Sequence, residues 1–290
     1  MQNILFTLGY SQYSETYFRY AQVIAKQFGA KLSILHVFDQ PEATLIPEGR
    51  LSTDSYLKSI LHDDQHKSAW QVKEINRLTR FANEMKSDEF KASDVELIVK
   101  GGNIVTEIDN AMKSGKYDLL IMGMRKHGLS ERIFGSITKQ VMNVIDVPLL
   151  LIPPSAIFST IAKIVYATTF ELQHVVDLQN IIKWRNVFDA SLKVVYVDEQ
   201  DDPTEASRKL NRLLSNANIT LDHKVSSKIL IGSVEDALND YIKFSDADLL
   251  ALHRKNRGFW SELRSGSITK EFISKMSIPI LIFKTTPHIT

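Results

Sequence analysis

The chain has 290 residues, with 35 Lys and Arg against 34 Asp and Glu and 44% hydrophobic content. A formal net charge of +1 gives no global field for nucleic acid or an anionic membrane, and the composition is that of an ordinary globular protein. The absence of cysteine excludes disulfides, thiolate nucleophiles and cysteine-held metals.

The N-terminus, MQNILFTLGYSQYSE, lacks the charged start and long apolar stretch of a signal peptide. No uncharged apolar run approaches the roughly 20 residues that span a bilayer. The expected location is therefore the cytoplasm, with no membrane partner. From there the chain alternates short apolar runs with segments of helical period. The run ILFTL (4–8) reads as a strand, and 14–28 as a helix with Tyr17, Tyr20, Ala21, Ile24, Ala25 and Phe28 on one stripe and Gly29 as its stop. KLSILHVF (31–38) is a second strand, and 62–86 a long helix. VELIVK (95–100) is a third strand, followed by a helix over 103–115. YDLLIMG (117–123), a helix over 136–145 and VPLLLI (147–152) complete the unit. Strands apolar on nearly every residue, each followed by a helix, indicate a parallel sheet covered on both faces.

The unit then repeats. KIVYATT, SLKVVYV, a strand within ITLDHKVSSKILI, DADLLAL and IPILIF follow in the same order. Asp118-Leu119-Leu120 and Asp248-Leu249-Leu250 are 248 − 118 = 130 positions apart. NILFTLGYS (3–11) and KIVYATTFE (163–171) are 163 − 3 = 160 apart. The second copy has thus lost about 30 residues, expected around the polar stretch 40–70. The joint is placed near Pro153-Pro154, giving domains 1–153 and 154–290.

The pentapeptide GSITK also occurs twice, at 135–139 and 266–270. An open parallel sheet takes ligands at the carboxyl ends of its strands. The loop from Gly123 to Ser136 ends at a helix N-terminus, where free N–H groups and the dipole favour an anion. Gly-Ser at that place either caps the helix or holds a phosphate.

NILFTLGYSQYSE, KLSILHVFD, VKGGNIVTEI and DLLIMGMRKHGLSERIFGSITKQVM followed by VPLLLIP, in that order, resemble the universal stress protein family in both halves. The resemblance implies an α/β fold of two five-stranded parallel-sheet domains with strand order 3-2-1-4-5, paired through their last strands. It implies a stress-response role without classical catalysis. For part of the family it also implies an adenine nucleotide such as ATP, with Mg2+ for a triphosphate. Nucleotide-binding members carry G-x-x-G, nine residues, then G-[S/T]. Carried onto this chain, the site is Gly9, Val37, Met122, Gly123, Arg125, Gly128, Gly135, Ser136 and Ile137.

The pattern is incomplete. One residue is missing between Gly123 and Gly128, and the place of the second glycine falls near Arg125-Lys126. Gly9 stands where such members carry an aspartate. In the second copy His253 replaces the first glycine, Asn256 the second and Thr169 the aspartate. Phe259-Trp260 lie in that loop, and Gly266-Ser267 alone survives. Two readings follow: a nucleotide in the N-terminal domain only, or a nucleotide-free scaffold for a protein partner, as a pseudo-dimer or homodimer.

Other features carry less. His62 and His66 have a metal-compatible spacing, but no third ligand stands near them and they read as a solvated face. His36 ends the second strand and reads as a packing residue with no partner carboxylate. His127 and His253 read as loop residues beside basic neighbours. No nucleophile elbow, P-loop or zinc helix is present. The basic loops RKHGLSER and HRKNRGFW are too short to argue for nucleic acid.

Overall fold

A computed structural model describes residues 1–38, 69–85, 95–124, 136–170, 173–200, 202–254 and 270–284. The first half runs β1 (Asn3–Thr7), α1 (Ser14–Phe28), β2 (Lys31–Phe38), α2 (Ala69–Glu84), β3 (Val95–Gly101), α3 (Ile104–Lys113), β4 (Leu119–Gly123), α4 (Ser136–Val144) and β5 (Leu149–Ile152). The second runs β6 (Lys163–Ala167), α5 (Gln173–Phe188), β7 (Ser191–Asp198), α6 (Pro203–Asn216), β8 (Val225–Ile231), α7 (Val234–Ser245), β9 (Leu249–Arg254), α8 (Lys270–Lys275) and β10 (Ile280–Lys284). The helix expected over 62–86 is described from Ala69 onward, so 62–68, with His62 and His66, lies outside the described residues.

All ten strands join one sheet in the order β3-β2-β1-β4-β5-β10-β9-β6-β7-β8. Pairing is parallel within each half and antiparallel at the β5–β10 junction alone. Each half therefore has the 3-2-1-4-5 order. The junction is dry: Leu149, Leu150 and Leu151 face Ile282, Leu281 and Ile280 in register, and all six are buried. Each such side chain is worth roughly 1.5–3 kcal/mol against exposure. The pairing also removes two strand edges that would otherwise present unpaired amides.

Alternation along the strands feeds two apolar layers. Ile4, Phe6, Leu119, Ile121, Ile164, Tyr166, Leu249 and Ala251 meet α1, α2, α5 and α6. Leu5, Leu120, Met122, Val165, Leu250 and Leu252 meet α3, α4, α7 and α8. Strands buried on both faces account for the continuous apolar runs in the sequence.

The repeat is literal in the backbone. β2 and β7 are 191 − 31 = 160 apart, β3 and β8 are 225 − 95 = 130. The difference of 30 falls between Phe38 and Val95, as the sequence offsets predict. Gly29 at φ 61° ends α1, and Asp189 at φ 50° ends α5 at the same offset of 160. Gly102 and Gly232, at φ 123° and 126°, turn the chain into helices capped by Asn103 and Ser233. The repeated aspartate is a clamp: Asp118 Oδ2 accepts the amides of Gln2 and Asn3 at 2.5 and 3.0 Å. Asp248 Oδ2 accepts those of Ala162 and Lys163, both at 2.9 Å.

Candidate functional site

The carboxyl ends of β2, β1 and β4 lie side by side, since Thr7 is in register with both Leu35 and Met122. That row brings Gly9, Val37, Met122 and Gly123 to one edge of the first half. Ser136 and Ile137 open α4, which packs on the same face as Met122. Gly9, Val37, Gly123 and Ile137 are partly exposed and Ser136 is exposed, while Met122 is core. Arg125, Gly128 and Gly135, with His127 and both GSITK loops up to Ser136 and Lys270, lie outside the described residues.

Gly123 has a local reason to be glycine. Strand alternation turns its missing Cβ toward α1, and a Cβ there would fall inside 3.0 Å of three Tyr17 ring atoms, far inside for two of them. The ring is pinned, because its hydroxyl donates to the carbonyl of Met124 at 2.7 Å and Tyr17 is buried. Burial, with Tyr13 beside it, pushes that phenol well above its ordinary pKa. Next to this pair, the carbonyl of Gly9 accepts the Ser14 hydroxyl at 3.2 Å.

At the β1–β2 end stands a second cluster. The guanidinium of Arg77 lies 3.7 Å over the Tyr10 ring, which meets His36 edge-on at 4.7 Å. His36 is buried, donates Nδ1–H to the Leu8 carbonyl at 2.9 Å and places Nε2 3.3 Å from Glu74 Oε2. His36 thus has the carboxylate partner that the sequence reading denied it; Glu74 reaches it from α2, across a segment whose length hid the contact. The Tyr10 hydroxyl is buried with no hydrogen-bond partner. Burial, opposed by Arg77, pushes its pKa up to about 12.

The second half rebuilds the same positions with different chemistry. Shifting by 160 and 130, Phe6, Leu8, Ser14, Tyr17 and Gly123 become Tyr166, Thr168, His174, Asp177 and His253. His253 belongs to β9, not to a loop as the sequence suggested, and its Nδ1 lies 2.5 Å from Asp177 Oδ2. Tyr166 donates to the same oxygen at 3.2 Å and lies 2.8 Å from His174 Nδ1. Thr168 and Thr169 hydroxyls stand 2.9 and 3.3 Å from the two nitrogens of His174. The two imidazole centroids are 4.7 Å apart. All but Thr169 are buried: Tyr166 is 0%, His174 2%, Asp177 4%, Thr168 4% and His253 9% exposed. Burial raises the Asp177 carboxyl against the lowering pull of His253 and Tyr166.

One donor scheme satisfies these contacts. Tyr166 gives its O–H to Asp177, so His174 Nδ1–H is shared between the oxygens of Tyr166 and Thr168, and His253 Nδ1–H donates to Asp177, leaving the buried carboxyl with two donors. Asp177 and His253 fill, as a hydrogen-bonded pair, the volume that the Tyr17 ring and Gly123 fill in the first half. Asp177, His174 and Tyr166 stand in no recognised sequence motif. The signal was available: the 160 and 130 offsets set Asp177 against Tyr17 and His253 against Gly123, a paired exchange of ring and glycine for carboxylate and imidazole. A ring pair recurs as well, since Phe170 and Tyr196, centroids 4.1 Å apart, occupy the positions of Tyr10 and His36.

Among the described residues no group of three His, Asp or Glu side chains is arranged to hold a metal. No helix there is long and apolar enough to cross a membrane.

A profile described as the universal stress protein family matches residues 1–153 and 171–284. A curated relative, the universal stress protein Slr1230 of Synechocystis sp., is 23% identical over 98% of this chain and 100% of its own length. In fold, the chain is similar to a universal stress protein from Archaeoglobus fulgidus, with a TM-score of 0.69 at 18% identity over 97% of this chain and 98% of that one. It is also similar to a Pseudomonas aeruginosa PAO1 protein of unknown function, with a TM-score of 0.62 at 13% identity over 98% of this chain and 92% of that one. With a profile match over both halves on a sheet of tandem 3-2-1-4-5 units, the chain belongs to the universal stress protein family.

Proposed function

We propose that this chain is a non-enzymatic stress-response protein of the cytoplasm, divided at 153/154, whose N-terminal domain alone takes an adenine nucleotide, with Mg2+ when the nucleotide is a triphosphate. The observation that carries the asymmetry is the exchange at one strand end. Gly123 leaves the backbone at the end of β4 partly exposed, whereas His253 fills that place with a buried side chain tied to Asp177. A phosphate needs close approach to the backbone and to the first turn of a helix. Gly9, Val37, Met122 and Gly123 at the sheet edge, with Ser136 and Ile137 opening α4, would supply both, and Arg125, Gly128 and Gly135 lie between them in the sequence.

A nucleotide-free scaffold is the second reading, favoured by the seat of the Tyr17 ring on Gly123: that glycine is required by packing whether or not a ligand binds. Calorimetric titration with ATP and AMP separates the two. The nucleotide reading expects saturable heat in the wild type and its loss in Ser136→Asp. That substitution puts a like charge beside the phosphate at an exposed helix start, where an acidic residue does not harm folding. No heat at millimolar nucleotide leaves the scaffold.

A further inference from the structure

A pair of rings stands at the carboxyl ends of the first two strands in each half, and neither proposed reading uses it. In the first half the rings are Tyr10 and His36, edge-on at 4.7 Å, and Arg77 of α2 lays its guanidinium 3.7 Å over Tyr10. In the second half Phe170 and Tyr196 stand at the same positions, tilted by 36° with centroids 4.1 Å apart, and both are partly exposed. Among the described residues no cation lies over either of them.

The covering helix accounts for the difference. Leu78 and Ala82, buried on α2, match Leu210 and Leu214, buried on α6, a register of 210 − 78 = 132. In that register Glu74 becomes Ala206 and Arg77 becomes Lys209. Lys209 is exposed, and its ammonium lies 3.5 Å from Glu205 of its own helix. Where α2 brings a guanidinium and a carboxylate to its rings, α6 brings an alanine and a lysine engaged elsewhere.

The negative charge comes from β7 instead. Asp198 lies two residues beyond Tyr196 and so shares its face of the sheet. It is 4% exposed and accepts the amides of Gln200 and Asp202 at 3.0 and 2.7 Å, yet among the described residues no cation pairs with it. A buried carboxylate is ordinarily matched by a positive partner. Glu199, next to it, is exposed. Burial raises the Tyr196 phenol, and Asp198 and Glu199 raise it further, so the field of both carboxylates reaches the ring. Phe170 takes φ 68°, the left-handed region that bulky side chains avoid, with its amide donating to Thr168 Oγ1 at 3.2 Å. Strain of that kind persists where the surroundings impose it, and it gathers at ligand sites.

We propose that Phe170, Tyr196, Asp198 and Glu199 form a guanidinium site in the second half, taking from outside the chain the group that Arg77 supplies in the first.

A guanidinium suits this arrangement better than an ammonium. Its plane stacks on a ring face and is weakly hydrated, while the N–H groups at its edge reach carboxylates. Free arginine and an arginine side chain of a partner protein carry the same group.

The test is a nuclear magnetic resonance titration of the intact chain, isotopically labelled in its Phe and Tyr rings, with N-acetylarginine amide. The guanidinium is the only charge on that probe. The expected result is a saturable shift of the Phe170 and Tyr196 ring signals, with Tyr10, already covered by Arg77, unmoved. N-acetyllysine amide should bind roughly tenfold more weakly. Tyr196→Leu keeps apolar bulk at a partly exposed position and should abolish the Phe170 shift; unchanged Phe28 signals show that the variant folds. Glu199→Gln, at an exposed position, should weaken binding about threefold. A capped tripeptide with arginine at its centre separates the sources. Tighter binding than the amide makes a partner's arginine the ligand, and equal binding makes it the free amino acid; both support the site. The proposal is overturned by the absence of a saturable shift, by equal affinity for the lysine probe, or by a Phe170 shift that survives in folded Tyr196→Leu.

Discussion

Substituting Gly123 by alanine isolates the contact that most constrains the N-terminal site. The added Cβ falls inside 3.0 Å of Cγ, Cδ2 and Cε2 of Tyr17, along one edge of the ring, so the whole ring must move. Swinging the ring away breaks its 2.7 Å hydrogen bond to Met124 and opens a void in a core where Tyr17 is 5% exposed. Overpacking of this kind costs about 1–3 kcal/mol. Full expulsion of the ring approaches the roughly 3–5 kcal/mol of an aromatic truncation. A shift of about 2 kcal/mol is roughly thirtyfold in the folding equilibrium. Denaturant unfolding of Gly123→Ala, Tyr17→Ala and the double variant forms a cycle. In the Tyr17→Ala background the added methyl has room, so its cost there drops to about zero and the coupling nearly equals the single-variant loss. A Gly123→Ala protein within about 0.5 kcal/mol of wild type, or strict additivity, refutes the claim that the ring rests on this glycine.

Tyr10→Phe removes a buried hydroxyl that has no partner, so stability is unchanged or rises by up to about 1 kcal/mol; a loss above that amount means the hydroxyl is bonded. The same phenol, raised to about 12, stabilises the fold below its ordinary pKa and loses that contribution as pH climbs from 10 to 12. Ultraviolet titration should show one late-ionising tyrosine absent from the variant. Asp118→Ala strands the amides of Gln2 and Asn3, a loss of roughly 1 kcal/mol at this exposed position. Burial raises the Asp118 carboxyl, but those two amides and the terminal ammonium outweigh it and hold it below the ordinary range. Its contribution is therefore present at neutral pH and disappears as pH falls below about 4, where variant and wild type should converge in urea midpoints. Leu281→Ala at the junction of β5 and β10 should cost about 2–5 kcal/mol. Calorimetry should find both halves weakened, since Leu281 faces Leu150 of the other half; a loss confined to the second half would contradict a shared core.

Most of the fold was legible because its signals are local. The stripe from Ser14 to Phe28 and its Gly29 stop appear in the sequence as they do in the helix, and the 160 and 130 offsets locate the shortened connection. The candidate site was legible in its positions but not in its chemistry. Gly123 is a phosphate-loop glycine by motif and a seat for Tyr17 by packing, and no local pattern distinguishes the two. His253 read as a basic-loop residue because Asp177 lies 76 positions away, and His36 read as unpartnered because Glu74 arrives on a separate helix. Such pairs are products of topology: parallel strands set in register bring the start of one helix over the end of a strand far off in the chain.

The single antiparallel step between β5 and β10 has a geometric result for signalling. It points the carboxyl ends of the strands in the two halves toward opposite rims of the sheet. A disturbance at the Gly123 rim reaches the His253 rim through the shared strands and through the packing of Phe28 of α1 on Trp184 and Phe188 of α5. A cross-talk measurement between the two rims is thus a measurement of the stiffness of this shared seam.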